Sequence, residues 1–286
     1  MRRNPALLRI HETSPLRHDC AERIGRLASK CLIEEVETWP KPGLVSHRDT
    51  GSHRDMDANM LRRSASVLEP WFGALAQAGM DGAEMGRLRV LGIDAEAAMR
   101  VETGGVNTHK GAIFGMGLLA AAAGLRERYG LPGTLGDIIA ARWGNAIHGG
   151  PVELHSHGSL VARRYRAGGA RQEAASGMPS LYHIALPALR RARAISPGNE
   201  EAARVEACMA LIAQVEDSNL LYRGGLEGLA FAQDEARRFL RDGGIAQADW
   251  SIRAEVMHRA FVARNLSPGG CADLLAMALF VERIQG

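Results

Sequence analysis

The sequence predicts an all-α fold, and three observations carry that expectation. Apolar residues recur at helical spacing along nearly the whole chain, no run of alternating β-branched residues bounded by turns is present, and most joints between periodic stretches hold glycine. The 286 residues are 46% hydrophobic, enough for a substantial core. No linker-like tract, repeat or low-complexity segment divides them. One multi-helix domain over residues 1–286 is therefore expected, with 1–13 as a loose leading segment.

The elements follow in order. A first helix opens at Ser14-Pro15, an N-cap followed by proline at the first helical position, and carries Leu16, Cys20, Ile24, Leu27, Cys31 and Leu32 on one stripe. "TWPKPG" stops it, because Pro40, Pro42 and Gly43 force an extended segment. The chain then turns through "HRDTGSHRDMD" into a second helix bearing Met56, Met60, Val67, Leu68, Trp71 and Leu75. Further helices are expected at about 94–102, 109–129, 135–147, 158–166, 180–195, 200–216, 226–241, 247–263 and 270–283.

Several function classes are excluded at this stage. A net charge of +3, evenly spread, does not favour nucleic acid or a membrane surface, and the "RRYR" and "RRAR" clusters read as solvated helix faces. The start of the chain has charges but no apolar signal region. The longest uncharged small or apolar run, 111–125, is shorter than the roughly 18 to 20 residues that span a bilayer. A cytoplasmic protein is expected. Cys20, Cys31, Cys208 and Cys271 contain no C-x-x-C pair, and the first two, on one helix, stand roughly 16 Å apart, too far to bridge. No disulfide framework is expected.

The chemistry concentrates in the joints. Glu34 and Glu35 project toward the side of Leu27 and Cys31, so at least one carboxylate faces inward, although the negative end of a helix disfavours it. Metal coordination, proton chemistry or an ion pair would each explain such a group. Lys41, in a stiff Pro-Lys-Pro segment, is placed to reach a phosphate. In "GSHRDMDANM", Ser52 and Asp55 nearly form a capping box, while Asp55 and Asp57 are two hard oxygen ligands suited to Mg²⁺. Thr103-Gly104-Gly105 offers backbone N–H groups, Lys110 adds a charge, and the following helix turns its positive end to the same place. It is not a Walker A loop, since the spacing is absent and no strand precedes it.

Two later joints repeat the pattern. "VEDSNLLYRGG" sets Asp217, Asn219 and Arg223 near a glycine pair; "RNLSPGGCADLL" sets Ser267 as an N-cap, Gly269 and Gly270 after Pro268, and Asp273 a turn further on. Several such joints together suggest one pocket for a polyanion with its metal. "ELHSHG" could supply two zinc ligands, His155 and His157, but no strand pattern surrounds them; a helix start or a substrate contact is the stronger reading.

From about Leu27 to Glu282 the chain resembles the triphosphoribosyl-dephospho-CoA synthase family, of the CitG/MdcB type. The resemblance rests on "EV" at 35–36, "PKPGLV" at 40–45, "GSHRDMD" at 51–57, "TGGVNTHKGAIF" at 103–114, "GGARQEAASGMPS" at 168–180, "DSNLLYRGG" at 217–225 and "NLSPGGCADLL" at 265–275. Two departures are small: Cys271 stands where serine is expected, and Gln172 where glycine is expected.

The resemblance implies an all-helical enzyme that joins ATP to the ribose 2′-hydroxyl of 3′-dephospho-CoA and releases adenine. Its product would pass to a transferase that modifies an acyl carrier protein, that of malonate decarboxylase or citrate lyase. Glu35 would stabilise the ribosyl cation or take the hydroxyl proton, and His109 would protonate adenine. Asp55, Asp57, Asp217 and Asp273 would hold Mg²⁺. Lys41, Gly104, Gly105, Asn107, Lys110, Asn219, Arg223, Asn265, Ser267, Gly269 and Gly270 would contact substrate. A metal-dependent nucleotide N-ribosyl hydrolase and a non-catalytic nucleotide-binding assembly factor are the competing readings.

Overall fold

The computed structural model describes residues 15–151 and 157–286. Twelve α-helices occupy them: α1 (Pro15–Val36), α2 (Ala58–Met80), α3 (Met85–Glu102), α4 (Lys110–Tyr129), α5 (Leu135–His148), α6 (His157–Tyr165), α7 (Gly169–Ala175), α8 (Leu186–Ile195), α9 (Glu200–Gln214), α10 (Ser218–Arg241), α11 (Trp250–Ala263) and α12 (Gly269–Gln285). A π-helical turn, Leu181–Ala185, runs into α8, and a 3-10 turn, Gly244–Ala246, precedes α11. No strand occurs among the described residues. The helical period has therefore been read correctly, and no helix there is long and apolar enough to cross a membrane.

Three helices form the interior. In α4 every residue from Gly115 to Leu125 is buried, in α12 every residue from Leu274 to Val281, and in α9 all but Arg204 between Ala202 and Ala213. Helices apolar all round must be enclosed. The others enclose them: α1 lies along α2, α2 along α4, and α8 and α10 flank α9. Small residues set the closest approach, because a Cβ on Gly79 would strike the Ala121 carbonyl and one on Gly124 the Ala76 carbonyl. The α2–α4 crossing is thus backbone against backbone, a contact only glycine permits.

This arrangement leaves helix ends where the site residues sit. The loop that leaves the C-terminus of α1 and the loops that enter the N-termini of α4, α10 and α12 carry them. Sequence boundaries differ from the observed ones at three places. Helix α3 starts at Met85 and not near 94, α10 starts at Ser218 and not near 226, and α7 was absent from the expectation. Glycines account for the first two: Gly86 and Gly92 interrupt the α3 pattern without breaking the helix, and Gly225 (φ 60°, ψ −160°) puts a real kink inside α10.

Candidate active site

Glu35 lies in the last turn of α1 and is 8% exposed. A buried carboxylate at the negative end of a helix requires a counter-charge. Lys41 provides it: the side chain is fully buried, its Nζ ion-pairs with the Glu35 carboxylate, and it donates to the Glu35 carbonyl oxygen at 2.6 Å. The phosphate-reaching role expected for Lys41 is corrected by this geometry, since a 0% exposed ammonium turned onto Glu35 has no surface to offer a ligand. Glu34 takes another course and accepts from Arg283 at 2.6 Å.

The segment after Lys41 packs against the loop that precedes α12. Gly43 has φ +69°, and a Cβ there would overlap the Leu266 carbonyl, so glycine is required twice over. Ser52 Oγ donates to that same carbonyl at 2.6 Å, while Val45 packs with Val36 and Leu61 beneath. These anchors bring His53 Nε2 within 2.9 Å of Ser267 Oγ and His53 Nδ1 within 3.5 Å of Asp55 Oδ1. Arg223 closes the corner, donating to the Ser52 carbonyl at 3.0 Å and to Asn265 Oδ1 at 2.9 Å, with its other terminal nitrogen beside His53. Burial lowers Arg223 from its ordinary value, opposed by Asp55; burial and then Arg223 lower His53.

Asp57 is the N-cap of α2, its Oδ1 accepting from Met60 N at 2.8 Å. Asp55, more than half exposed, stays outside the helix, so the near capping box with Ser52 does not form.

Asp217 ties two helix starts together. At 1% exposure, its Oδ1 accepts from Asn219 N at 2.7 Å and Leu220 N at 3.1 Å, and its Oδ2 accepts from Cys271 N at 2.8 Å. One carboxylate therefore caps both α10 and α12. Glycine keeps the second start close, because a Cβ on Gly270 would fall 3.0 Å from Asp217 Oδ2 and one on Gly269 2.9 Å from Asn219 Nδ2. Ser267, expected to cap α12, does not; its hydroxyl faces His53 and Pro268 holds the N-cap position.

One turn into α12, Asp273 abuts Gly111 in the first turn of α4, where any Cβ would strike its carboxylate. Burial, then Glu35 and Asp217, push its carboxyl well above the ordinary range. Burial also raises Asp217, against the pull of its three N–H donors.

The entrance to α4 is organised differently from expectation. Gly104 and Gly105 donate their N–H groups to Val101 O (3.5 Å) and Arg100 O (2.7 Å), closing the C-terminus of α3 rather than standing free for a ligand. Asn107 Oδ1 accepts from Lys110 N at 3.2 Å, and Lys110 Nζ donates to Glu96 at 3.1 Å. His109 is 5% exposed, with Nδ1 2.8 Å from Ser64 Oγ. Burial, with the charge of Lys41, lowers it to about 4, so it is neutral at ordinary pH and a weak proton donor there.

Contacts and fields thus connect the joints into one continuous region. Asp55 and His53 meet Arg223 and Ser267; the Ser267 loop leads to the α12 start held by Asp217; Asp273 reaches Gly111; and Lys41 acts on both Glu35 and His109. Among the described residues no three His, Cys, Asp or Glu side chains are gathered as a ready metal site. Mg²⁺ needs only one or two carboxylates when phosphates and waters complete its shell. Of the four aspartates expected to hold Mg²⁺, Asp57 and Asp217 are engaged by backbone N–H groups, Asp55 is the exposed one, and Asp273 would have to give up its proton to serve as a ligand.

The family described as CitG, ATP:dephospho-CoA triphosphoribosyl transferase, matches residues 21–286. The chain belongs to this family. A probable 2-(5″-triphosphoribosyl)-3′-dephosphocoenzyme-A synthase of Azotobacter vinelandii is 42% identical over 275 residues, covering 94% of both chains. Relatives with the same description in Pseudomonas aeruginosa and Stutzerimonas stutzeri are 42% and 39% identical, the first covering 94% of this chain and 93% of its own, the second 92% of each. No solved structure matches. The protein is a transferase enzyme of the triphosphoribosyl-dephospho-CoA synthase type.

Some members of the site escaped the sequence reading of this family member. His53 shares the joint of Asp55 and was legible by that company; Ser64 and His258 lie inside helices with no motif around them. In the 168–180 motif, Arg171 donates to the Ile147, Gly150 and Pro151 carbonyls at the end of α5, and Glu173 accepts from Ser180 N and Oγ at 2.7 and 2.9 Å. That motif is a pair of helix caps. His155 falls outside the described residues, and His157 opens α6.

Proposed function

We propose that this chain transfers the triphosphoribosyl group of ATP to the ribose 2′-hydroxyl of 3′-dephospho-CoA and releases adenine. The observation that carries the reading is the buried Glu35–Lys41 pair, set beside Asp273 where four helix ends meet. In the reaction the C1′–N bond of ATP breaks, the electron pair leaving with adenine, and a C1′–O bond forms to the acceptor hydroxyl. Glu35 stabilises positive charge developing at C1′ and receives the hydroxyl proton, which passes on through solvent to the departing adenine so that neutral adenine is released. Lys41 holds that carboxylate in place. His109, neutral and hydrogen-bonded to Ser64, is a wall of the pocket; its depressed basicity argues against the acid role expected for it.

On this reading the triphosphate would be met by Gly269, Gly270, Asn219, Ser267, Asn265 and Arg223 around the α12 start and by Asn107 and Lys110 at the α4 start. Asp273 and Asp55 would hold Mg²⁺, which supplies charge neutralisation for the phosphates. The product passes to a transferase acting on an acyl carrier protein in the cytoplasm, that of malonate decarboxylase by overall resemblance.

The test incubates the protein with ATP and Mg²⁺, with and without 3′-dephospho-CoA, and follows adenine by chromatography. Adenine is expected only with acceptor, in equal amount to the coupled product. Adenine without acceptor would make the protein a hydrolase, and ATP binding without adenine a nucleotide-binding factor. Glu35→Gln is expected to lose about 100-fold or more in kcat with the KM for ATP within about threefold.

A further inference from the structure

His258, on α11, lies outside every motif of the sequence and touches both halves of the site. It is buried, 3% exposed, and its ring makes a T-shaped contact with Trp39 at 4.8 Å between centroids. Its Nδ1 lies 2.8 Å from the Lys41 carbonyl oxygen, and its Nε2 lies 3.2 Å from Asp49 Oδ2. Both partners are acceptors, so both ring nitrogens face groups that want a proton donor.

The two partners lead to different parts of the candidate site. Lys41 is the residue whose ammonium holds Glu35, and its segment has no regular secondary structure to fix it. Asp49 is the corner of the next loop: its Oδ1 accepts from Gly51 N at 2.9 Å and its carbonyl accepts from Ser46 N at 3.0 Å. That loop delivers Ser52, His53 and Asp55 to Arg223 and Ser267. One imidazole therefore stands between the carboxylate side and the phosphate side.

We propose that His258 is a positioning residue, which sets Glu35 through the Lys41 carbonyl and sets the phosphate-side loop through Asp49. The inference rests on the catalytic reading of Glu35. A displacement of about 1 Å at a reacting group costs on the order of 100-fold in rate, so a clamp two residues removed from substrate is a kinetic device as well as a packed side chain.

The test separates the two nitrogens in steady-state assays of adenine release by the full chain. His258→Asn places an amide donor where Nδ1 was and leaves Asp49 unanchored; His258→Gln places one near Nε2 and leaves the Lys41 carbonyl unanchored. The Asn variant is expected to keep kcat within about threefold of wild type and to raise the KM for ATP about threefold or more; the Gln variant is expected to lose about tenfold or more in kcat at nearly unchanged KM. His258→Ala is expected to show both defects. Equal impairment of the Asn and Gln variants, or full activity in either the Gln or the Ala variant while Glu35→Gln is inactive, would overturn the proposal. Full activity of Glu35→Gln would instead overturn the reading on which it rests.

Discussion

A lone imidazole shows how far burial decides chemistry at the scale of the residue. His109 titrates near 6.5 when exposed and near 4 in the fold, because burial removes water and Lys41 adds like charge. Between those values the unfolded chain binds a proton that the folded chain does not, so stability rises with pH there. This contribution is complete above about 6.5 and is lost as pH falls toward 4. Replacing His109 with Gln is expected to remove roughly 2 to 3 kcal/mol of the acid destabilisation between those limits, read from urea midpoints at matched pH. The inward turn of Glu35 was legible, since it shares the Leu27 and Cys31 side of its helix. The destination of Lys41 was not: a proline-bound lysine reads the same whether its stem points to solvent or folds back on the preceding helix.

Helix ends and crossings explain most of what the elements do. Asp217 caps α10 and α12 at once, so Asp217→Ala leaves three N–H groups without their acceptor, two of them buried and one part-buried. A loss of about 2 to 4 kcal/mol is expected in chemical denaturation. At the α2–α4 crossing, Gly124→Ala would drive a methyl into the Ala76 carbonyl, and a net loss of about 1 to 3 kcal/mol is expected despite the better helix propensity of alanine. Helices with continuous apolar faces, such as α4 and α12, were legible in position to a residue or two. The early start of α10 was not, because Arg223, Gly224 and Gly225 read as a joint, while the structure runs one helix into another across the kink. The capping duties of Asp217 and Arg171 also escaped, since each serves a helix distant in sequence and no local pattern encodes that.

The whole molecule is a set of buried helices whose ends carry the polar work. Seven stretches scattered from residue 35 to residue 275 carried the resemblance, and four helix ends and one loop gather most of the candidate groups among them. What the sequence could not express is the division of labour at that meeting place. Several aspartates and glycines expected to touch ligand hold backbone instead, and the proposed function puts the nucleotide against Asp55, Asp273, Arg223 and the α12 start together with Asn107 and Lys110. Hydrogen exchange of the full chain, with and without Mg²⁺-ATP, tests that most directly. Protection is expected to be concentrated in 41–57, 217–225 and 265–275. Protection confined to other helices, with those three stretches unchanged, would contradict the account.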